Sequence, residues 1–171
     1  MRKLLQRLKS ALKTLSGRLE TKKEKSPDPI SQETRGEDLP SAVKSGFVFS
    51  QRSLNNLEGV HPDLVAVAHR ALQITPVDFV VIEGVRSIER QKQLFESGAS
   101  RTMNSRHLTG HAIDVAAWVG GTVRWDWPLY DVIGASFKAA AKELDVPFVW
   151  GGDWTTFRDG PHNELDRVFY K

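Results

Sequence analysis

Residues Ser105 to Trp118 read SRHLTGHAIDVAAW and place two histidines and an aspartate between His107 and Asp114. Imidazole and carboxylate are donors that hold zinc in hydrolytic sites, and the chain has no cysteine to replace them. An HxxxH pair binds zinc from one face of a helix, so it needs a helix. Gly110 lies between His107 and His111, and the β-branched Ile113 and Val115 follow, so a helix is disfavoured and a loop entering a strand is expected. On a strand, Ala112 and Asp114 face one way while Ile113 and Val115 face the other. A buried acid among apolar neighbours needs a partner, and a metal ion is one of the few good ones. His107, in the loop just before, reaches the same point.

A third ligand is available near the other end of the chain. The stretch WGGDWTTFRDGPHNEL gathers Asp159, Pro161 and His162 beside a double glycine and two tryptophans. With His162 the set becomes two imidazoles and a carboxylate, leaving one position open for the water that such a site activates. Asp159, three residues before His162, then stands where a general base belongs. The competing reading makes His107 and His162 surface or hydrogen-bonded histidines, and Asp114 and Asp159 loop caps or ion-pair partners. His61 precedes a helix start and His69 sits inside a helix, so both are read as structural; His111 faces solvent or supports the site.

These residues must be carried by elements the pattern also predicts. HPDLVAVAHRALQIT reads as a helix with Pro62 and Asp63 in its first turn. VDFVVIEGV reads as a buried strand, and Ser87 caps a helix IERQKQLFES that Gly98 stops. AIDVAAWV is a second strand, turned by Gly120-Gly121 into TVRW; PLYDVIGASFKAAAKEL is a long helix opened by Pro128. FVW and ELDRVFY are expected as short strands at the end. The sum is an α+β domain, a small mainly antiparallel sheet flanked by helices, over residues 46–171.

Upstream the composition changes. Residues 1–25 carry nine lysines and arginines against Glu20 and Glu24, a net of +7; the whole chain is +3, so the remainder carries −4. Leu4, Leu5, Leu8, Leu12, Leu15 and Leu19 recur at helical spacing, which predicts a basic amphipathic helix suited to anionic membrane or outer-membrane lipid, or a solvated arm. Residues 26–45, with three prolines and no apolar periodicity, read as a linker. The mildly acidic body argues against nucleic acid as a partner. No apolar run fits a secretory signal or a membrane span.

The motifs together resemble those of the zinc D-Ala-D-Ala carboxypeptidase and L-Ala-D-Glu endopeptidase family. SRHLTGHAID fits Ser-x-His-x-x-Gly-x-Ala-x-Asp, WGGDW…DGPHNE fits the second motif, and EGVRSIERQKQLFESGAS resembles the Gly-x-Arg-Ser step into a helix with Gln. The likeness spans about Phe47 to Leu165 and is greatest to bacteriophage endolysins of the L-alanyl-D-glutamate peptidase type. It implies the D-Ala-D-Ala peptidase and hedgehog type of fold, zinc held by His107, Asp114 and His162, and Asp159 as general base. It further implies Arg86 binding the substrate carbonyl, Gln91 positioning that arginine or the substrate, and Ser105 in a structural role. Asn163 departs from the family, where many members carry an aromatic residue, and is expected to alter a wall of the cleft. Trp125, Trp127, Trp150 and Trp154 are candidates to line a groove for a glycan-peptide, Trp154 foremost, with core packing expected for at least two of the four.

The function implied is a monomeric peptidase acting on peptidoglycan, cutting the L-Ala–D-Glu bond as a phage lysis enzyme. Removal of terminal D-Ala in wall remodelling is the alternative, and a non-catalytic zinc-containing wall-binding module the second. Synthesis in the host cytoplasm and holin-dependent release to the wall complete the expectation.

Overall fold

The computed structural model describes residues 45–171. The expected arm (1–25) and nearly all of the expected linker (26–45) lie outside the described residues. The described elements are α1 (Gln51–Asn56), α2 (Pro62–Ile74), β1 (Phe79–Glu83), α3 (Ile88–Glu96), β2 (Ala112–Val119), β3 (Thr122–Arg124), α4 (Trp127–Glu143), β4 (Phe148–Trp150) and β5 (His162–Leu165). Short 3-10 turns fill Arg106–Thr109 and Gly151–Asp153. The five strands form one antiparallel sheet in the order β1-β2-β5-β4, with β3 also pairing β2.

Local chemistry accounts for the element ends. His61 caps α2, its Nδ1 accepting from Asp63 N, with proline in the first turn. Ser87 Oγ accepts from Arg90 N at the start of α3. The expected terminal strand is displaced: pairing runs over His162–Leu165, and Asp166–Tyr170 turns away instead of extending ELDRVFY. Asp166 takes hydrogen bonds from the backbone N–H groups of Val168, Phe169 and Tyr170, which curls the tail and leaves no ladder to continue.

Period-two alternation divides the sheet into two faces. Phe79, Val81, Ile113, Val115, Ala117 and Leu165 enter the core, packed against Leu64, Val67, Ala68, Ala71 and Leu72 of α2 and Ile133, Phe137, Ala140 and Ala141 of α4. Burying each large aliphatic or aromatic side chain of this set contributes about 1.5–3 kcal/mol. The opposite face presents Asp114 beside His162 and Ala112 beside Glu164. One strand pair thus commits half its residues to stability and half to chemistry.

Asn163 lies on the stabilising face, not on the cleft. It pairs Ile113 on one side and Trp150 on the other and is fully buried. The expectation that it alters a cleft wall is therefore corrected, because alternation along β5 sends it away from its neighbour His162. Trp150 is the one of the four candidate tryptophans that is buried, its Nε1 donating to Gly160 O at 2.8 Å. Trp125 and Trp127 are exposed and Trp154 half-buried, so core packing of two is not met.

Candidate metal centre

Asp114 sits in the middle of the site face of β2, half-buried. His107 comes from the 3-10 turn just before the strand. Ser105 Oγ accepts from His107 N at 3.4 Å, and Gly110 closes the turn at φ 71° in the left-handed region. A Cβ on Gly110 would stand 2.5 Å from Gly59 O, so both conformation and space demand glycine there. His162 arrives from β5 directly opposite Asp114.

The three side chains converge. His107 Nε2 lies 3.4 Å from Asp114 Oδ2, His162 Nδ1 lies 3.2 Å from Asp114 Oδ1, and the two ring nitrogens are 3.4 Å apart. Each imidazole is held by its other nitrogen. His107 Nδ1 is 2.8 Å from Gly84 O, an acceptor only, so that nitrogen carries the proton. His162 Nε2 is 3.1 Å from Glu164 Oε2, again an acceptor, so it too carries the proton. When the rings are neutral, as metal ligands must be, the remaining nitrogens, His107 Nε2 and His162 Nδ1, turn lone pairs toward the Asp114 carboxylate. Donors held 2.0–2.2 Å from a tetrahedral ion are roughly 3.3–3.6 Å apart; the two ring nitrogens stand at that spacing, and with one Asp114 oxygen all three donor atoms lie within 4.8 Å of one another.

The electrostatics favour a cation. Burial pushes the Asp114 carboxyl up, but the hydrogen bonds from His107 and His162 outweigh it and hold it well below the usual carboxylate range. Burial would depress His162, yet its bonds to Asp114 and Glu164 raise it to about 9. Glu164, opposed by burial, is brought down to about 2 by His162 and Arg167. Arg167 Nε donates to Glu164 Oε1 at 3.0 Å, so an arginine backs the carboxylate that backs the histidine.

A second set of residues flanks this centre. Arg86 is almost enclosed; it donates to both carboxyl oxygens of Glu83, to Gln91 Oε1 at 2.8 Å and to Asp114 Oδ2 at 3.4 Å. Glu83 reaches this face through a register shift: Val81 pairs Val115, yet Glu83 pairs Asp114. Two residues of β1 thus span one of β2, as in a bulge, which re-aims the side chain. Gln91 is fully buried, and its Nε2 donates to Ser100 Oγ at 2.8 Å and Thr102 O at 2.6 Å. Of the two roles expected for Gln91, contact with substrate does not fit a side chain with no exposed surface, whose contact toward the site is with Arg86.

Asp159 stands on the other side. Its backbone N–H donates to Gly151 O at 2.9 Å, and burial, then the Asp114 charge, push its carboxyl above the ordinary value. Trp154 packs its ring 5.1 Å from that of His162. His111 is placed elsewhere, its ring 5.2 Å from His61 and its Nδ1 on Thr109 Oγ1, with His69 edge-on to Phe49. An apolar depression of about 580 Å³ beside α1 and β1, lined by Val48, Phe49, Trp118 and Val123, contains none of these groups.

Glu83, Gly84 and Glu164 were not singled out from sequence. Glu164 carried a usable signal, since a residue two along a strand from His162 shares its face. Glu83 carried none, because the register shift is a property of the pairing. Gly84 is fixed by crowding: a Cβ would come within 1.8 Å of Asn56 O, and its carbonyl is the one that holds His107.

An antiparallel sheet that brings two imidazoles and a carboxylate together, with a carboxyl group and an anchored guanidinium alongside, is the kind of arrangement that suits metal-assisted amide hydrolysis. The chain belongs to the phage L-alanyl-D-glutamate peptidase family, whose model matches residues 45–171. It is 34% identical over 128 residues to the L-alanyl-D-glutamate peptidase of Escherichia phage T5, covering 72% of this chain and 93% of that protein. Identity to the L-alanyl-D-glutamate peptidase of Listeria phage A118 is 38% over 125 residues, covering 71% of this chain but 43% of that longer protein. The crystal structure of the Serratia marcescens L-Ala D-Glu endopeptidase ChiX matches with a TM-score of 0.69 and 48% identity, over 71% of this chain and 92% of that one.

Proposed function

We propose that this protein is a zinc peptidase that hydrolyses the L-Ala–D-Glu bond of peptidoglycan stem peptides, with His107, Asp114 and His162 as the zinc ligands. The observation that carries the reading is the triangle of lone pairs, each imidazole fixed by its second nitrogen. When bound, the ion supplies an acidified water and a Lewis acid for the scissile carbonyl.

The chain's own groups do the rest. Asp159 takes the proton from the attacking water and returns it to the leaving amine; its raised pKa suits a group that must do both. Arg86 offers its guanidinium to the carbonyl oxygen as negative charge develops there, and a donor of that kind is worth about 3–4 kcal/mol. Glu83 and Gln91 hold Arg86 in place before substrate arrives, so little reorganisation accompanies reaction. Trp154 forms the wall beside His162.

Mass spectrometry of digested sacculi tests the bond assignment. A new N-terminal D-Glu is expected; released D-Ala would show a carboxypeptidase, and no product a binding module. The wall is the proposed site of action, and the basic, leucine-striped residues 1–25 are proposed to bring the enzyme to anionic lipid. Removing residues 1–25 is expected to lower binding to anionic liposomes and spare cleavage of isolated wall.

A further inference from the structure

Hydrolysis of an L-Ala–D-Glu bond frees the amine of a glutamate, and a glutamate has two carboxyls. The stem continues through one of them, so the other remains a carboxylate unless it is amidated. A site built for this bond must therefore accommodate a negative charge a few bonds from the scissile nitrogen, already beside Asp114 and Asp159. Desolvating that charge without a cation is costly.

Arg86 is poorly placed for the task, because Glu83, Gln91 and Asp114 take four of its five N–H groups, leaving one for the scissile carbonyl oxygen, and Glu83 offsets its charge. Arg101 is different. It lies in the loop after α3, exposed, and among the described residues it makes no ion pair and no side-chain hydrogen bond. Its guanidinium carbon sits 4.0 Å from the centroid of Phe157, a ring that is 45% exposed. Seating on an aromatic face steadies an arginine while leaving its N–H edge free to grip a carboxylate with two parallel bonds.

The loop's anchoring ties Arg101 to the residues that flank the metal centre. Ser100 and Thr102, the neighbours of Arg101, are both bonded by Gln91 Nε2, and the same glutamine's Oε1 accepts from Arg86. Phe157 in turn is two residues before Asp159. The Arg101–Phe157 contact thus joins the loop tied to Arg86 with the loop that carries the general base. We propose that Arg101, seated on Phe157 between the loops that carry Asp159 and support Arg86, binds the free carboxylate of the glutamate and makes the enzyme selective for the un-amidated stem peptide. This rests on the L-Ala–D-Glu reading above.

Two synthetic stem peptides, identical except for a carboxylate or a carboxamide on the glutamate, separate the possibilities. For the zinc-loaded wild type, kcat/KM is expected to favour the carboxylate by about tenfold or more, the scale of a charge-assisted hydrogen bond. In Arg101→Ala the ratio falls to near one, and in Phe157→Leu, which keeps the charge and removes the seat, it takes an intermediate value. A wild-type ratio near one, or an Arg101→Ala enzyme that keeps the wild-type ratio, overturns the proposal. Cleavage of neither peptide by the wild type overturns the bond assignment itself, and the role of Arg101 with it.

Discussion

The two histidines of the centre are held in opposite ways. His107 hangs from a main-chain carbonyl, Gly84 O, and Arg86 N donates back to His107 O at 3.0 Å, so turn and strand end are laced together by backbone. His162 leans on a side-chain carboxylate, Glu164, itself backed by Arg167. The first anchor is a consequence of chain path and no substitution removes its acceptor. The second is a chosen side chain, strong because buried and ionised, but replaceable one residue at a time. A single site can thus be half fold and half side-chain network, with different vulnerabilities.

Removing a ligand should erase the contrast altogether: His107→Ala or His162→Ala is expected to lose zinc and cleavage together, by metal analysis and wall digestion. Zinc retained at full stoichiometry in either variant would take that residue out of the ligand set. Next in size, Asp159→Ala is expected to keep zinc while activity falls by about 10²–10⁴-fold; near-normal turnover would reassign the base. The anchor itself is probed by Glu164→Gln, which should weaken zinc binding by about 10–100-fold in a chelator competition. Unchanged affinity would mean that the backbone-held half suffices.

The opposite face of β5 provides the control. Asn163 donates to Pro161 O at 2.8 Å, but its Oδ1 is buried without a partner, and Pro161 O also accepts from Val115 N at 3.0 Å. Asn163→Leu is expected to raise stability by about 1 kcal/mol, roughly 2–4 °C in Tm, with zinc affinity unaltered. The smallest effect concerns the tail strapped over the His107 turn, where Arg106 donates to Tyr170 O at 2.9 Å and Tyr170 Oη to Asp63 at 2.7 Å. The bond to Asp63 raises the Tyr170 phenol to about 12. A raised folded-state pKa gives stability that is whole below about 10 and lost as pH climbs toward 12. Tyr170→Phe should flatten that alkaline decline in a Tm-versus-pH series.

Local rules made His107 and Asp114 candidates, since Gly110 breaks a helix and alternation along AIDVAAWV sends Asp114 to one face and Ile113 to the other. The choice of His162 as third donor and of Asp159 as base over the competing reading came from the resemblance of the motifs. Asn163 was misplaced because its role came from the resemblance alone and it lay outside the expected strand, which began at Glu164; with β5 starting at His162, alternation sends it to the core face. Arg86 was named through the resemblance of its Gly-x-Arg-Ser step, which gave no reason for it to stay put. Glu83 reaches it only through the irregular β1–β2 pairing, and Gln91 only because α3 folds back over the 100–102 loop.

Sequence alone determined the donor types, the strand and helix that follow each motif, and the lack of any thiol, since composition and near-neighbour sterics are written along the chain. Which nitrogen of each histidine faces Asp114, which acids steady Arg86, and that Arg101 meets Phe157 were decided only by tertiary structure. Those facts depend on groups up to 56 residues apart meeting within a few ångströms, and no local preference encodes such a meeting.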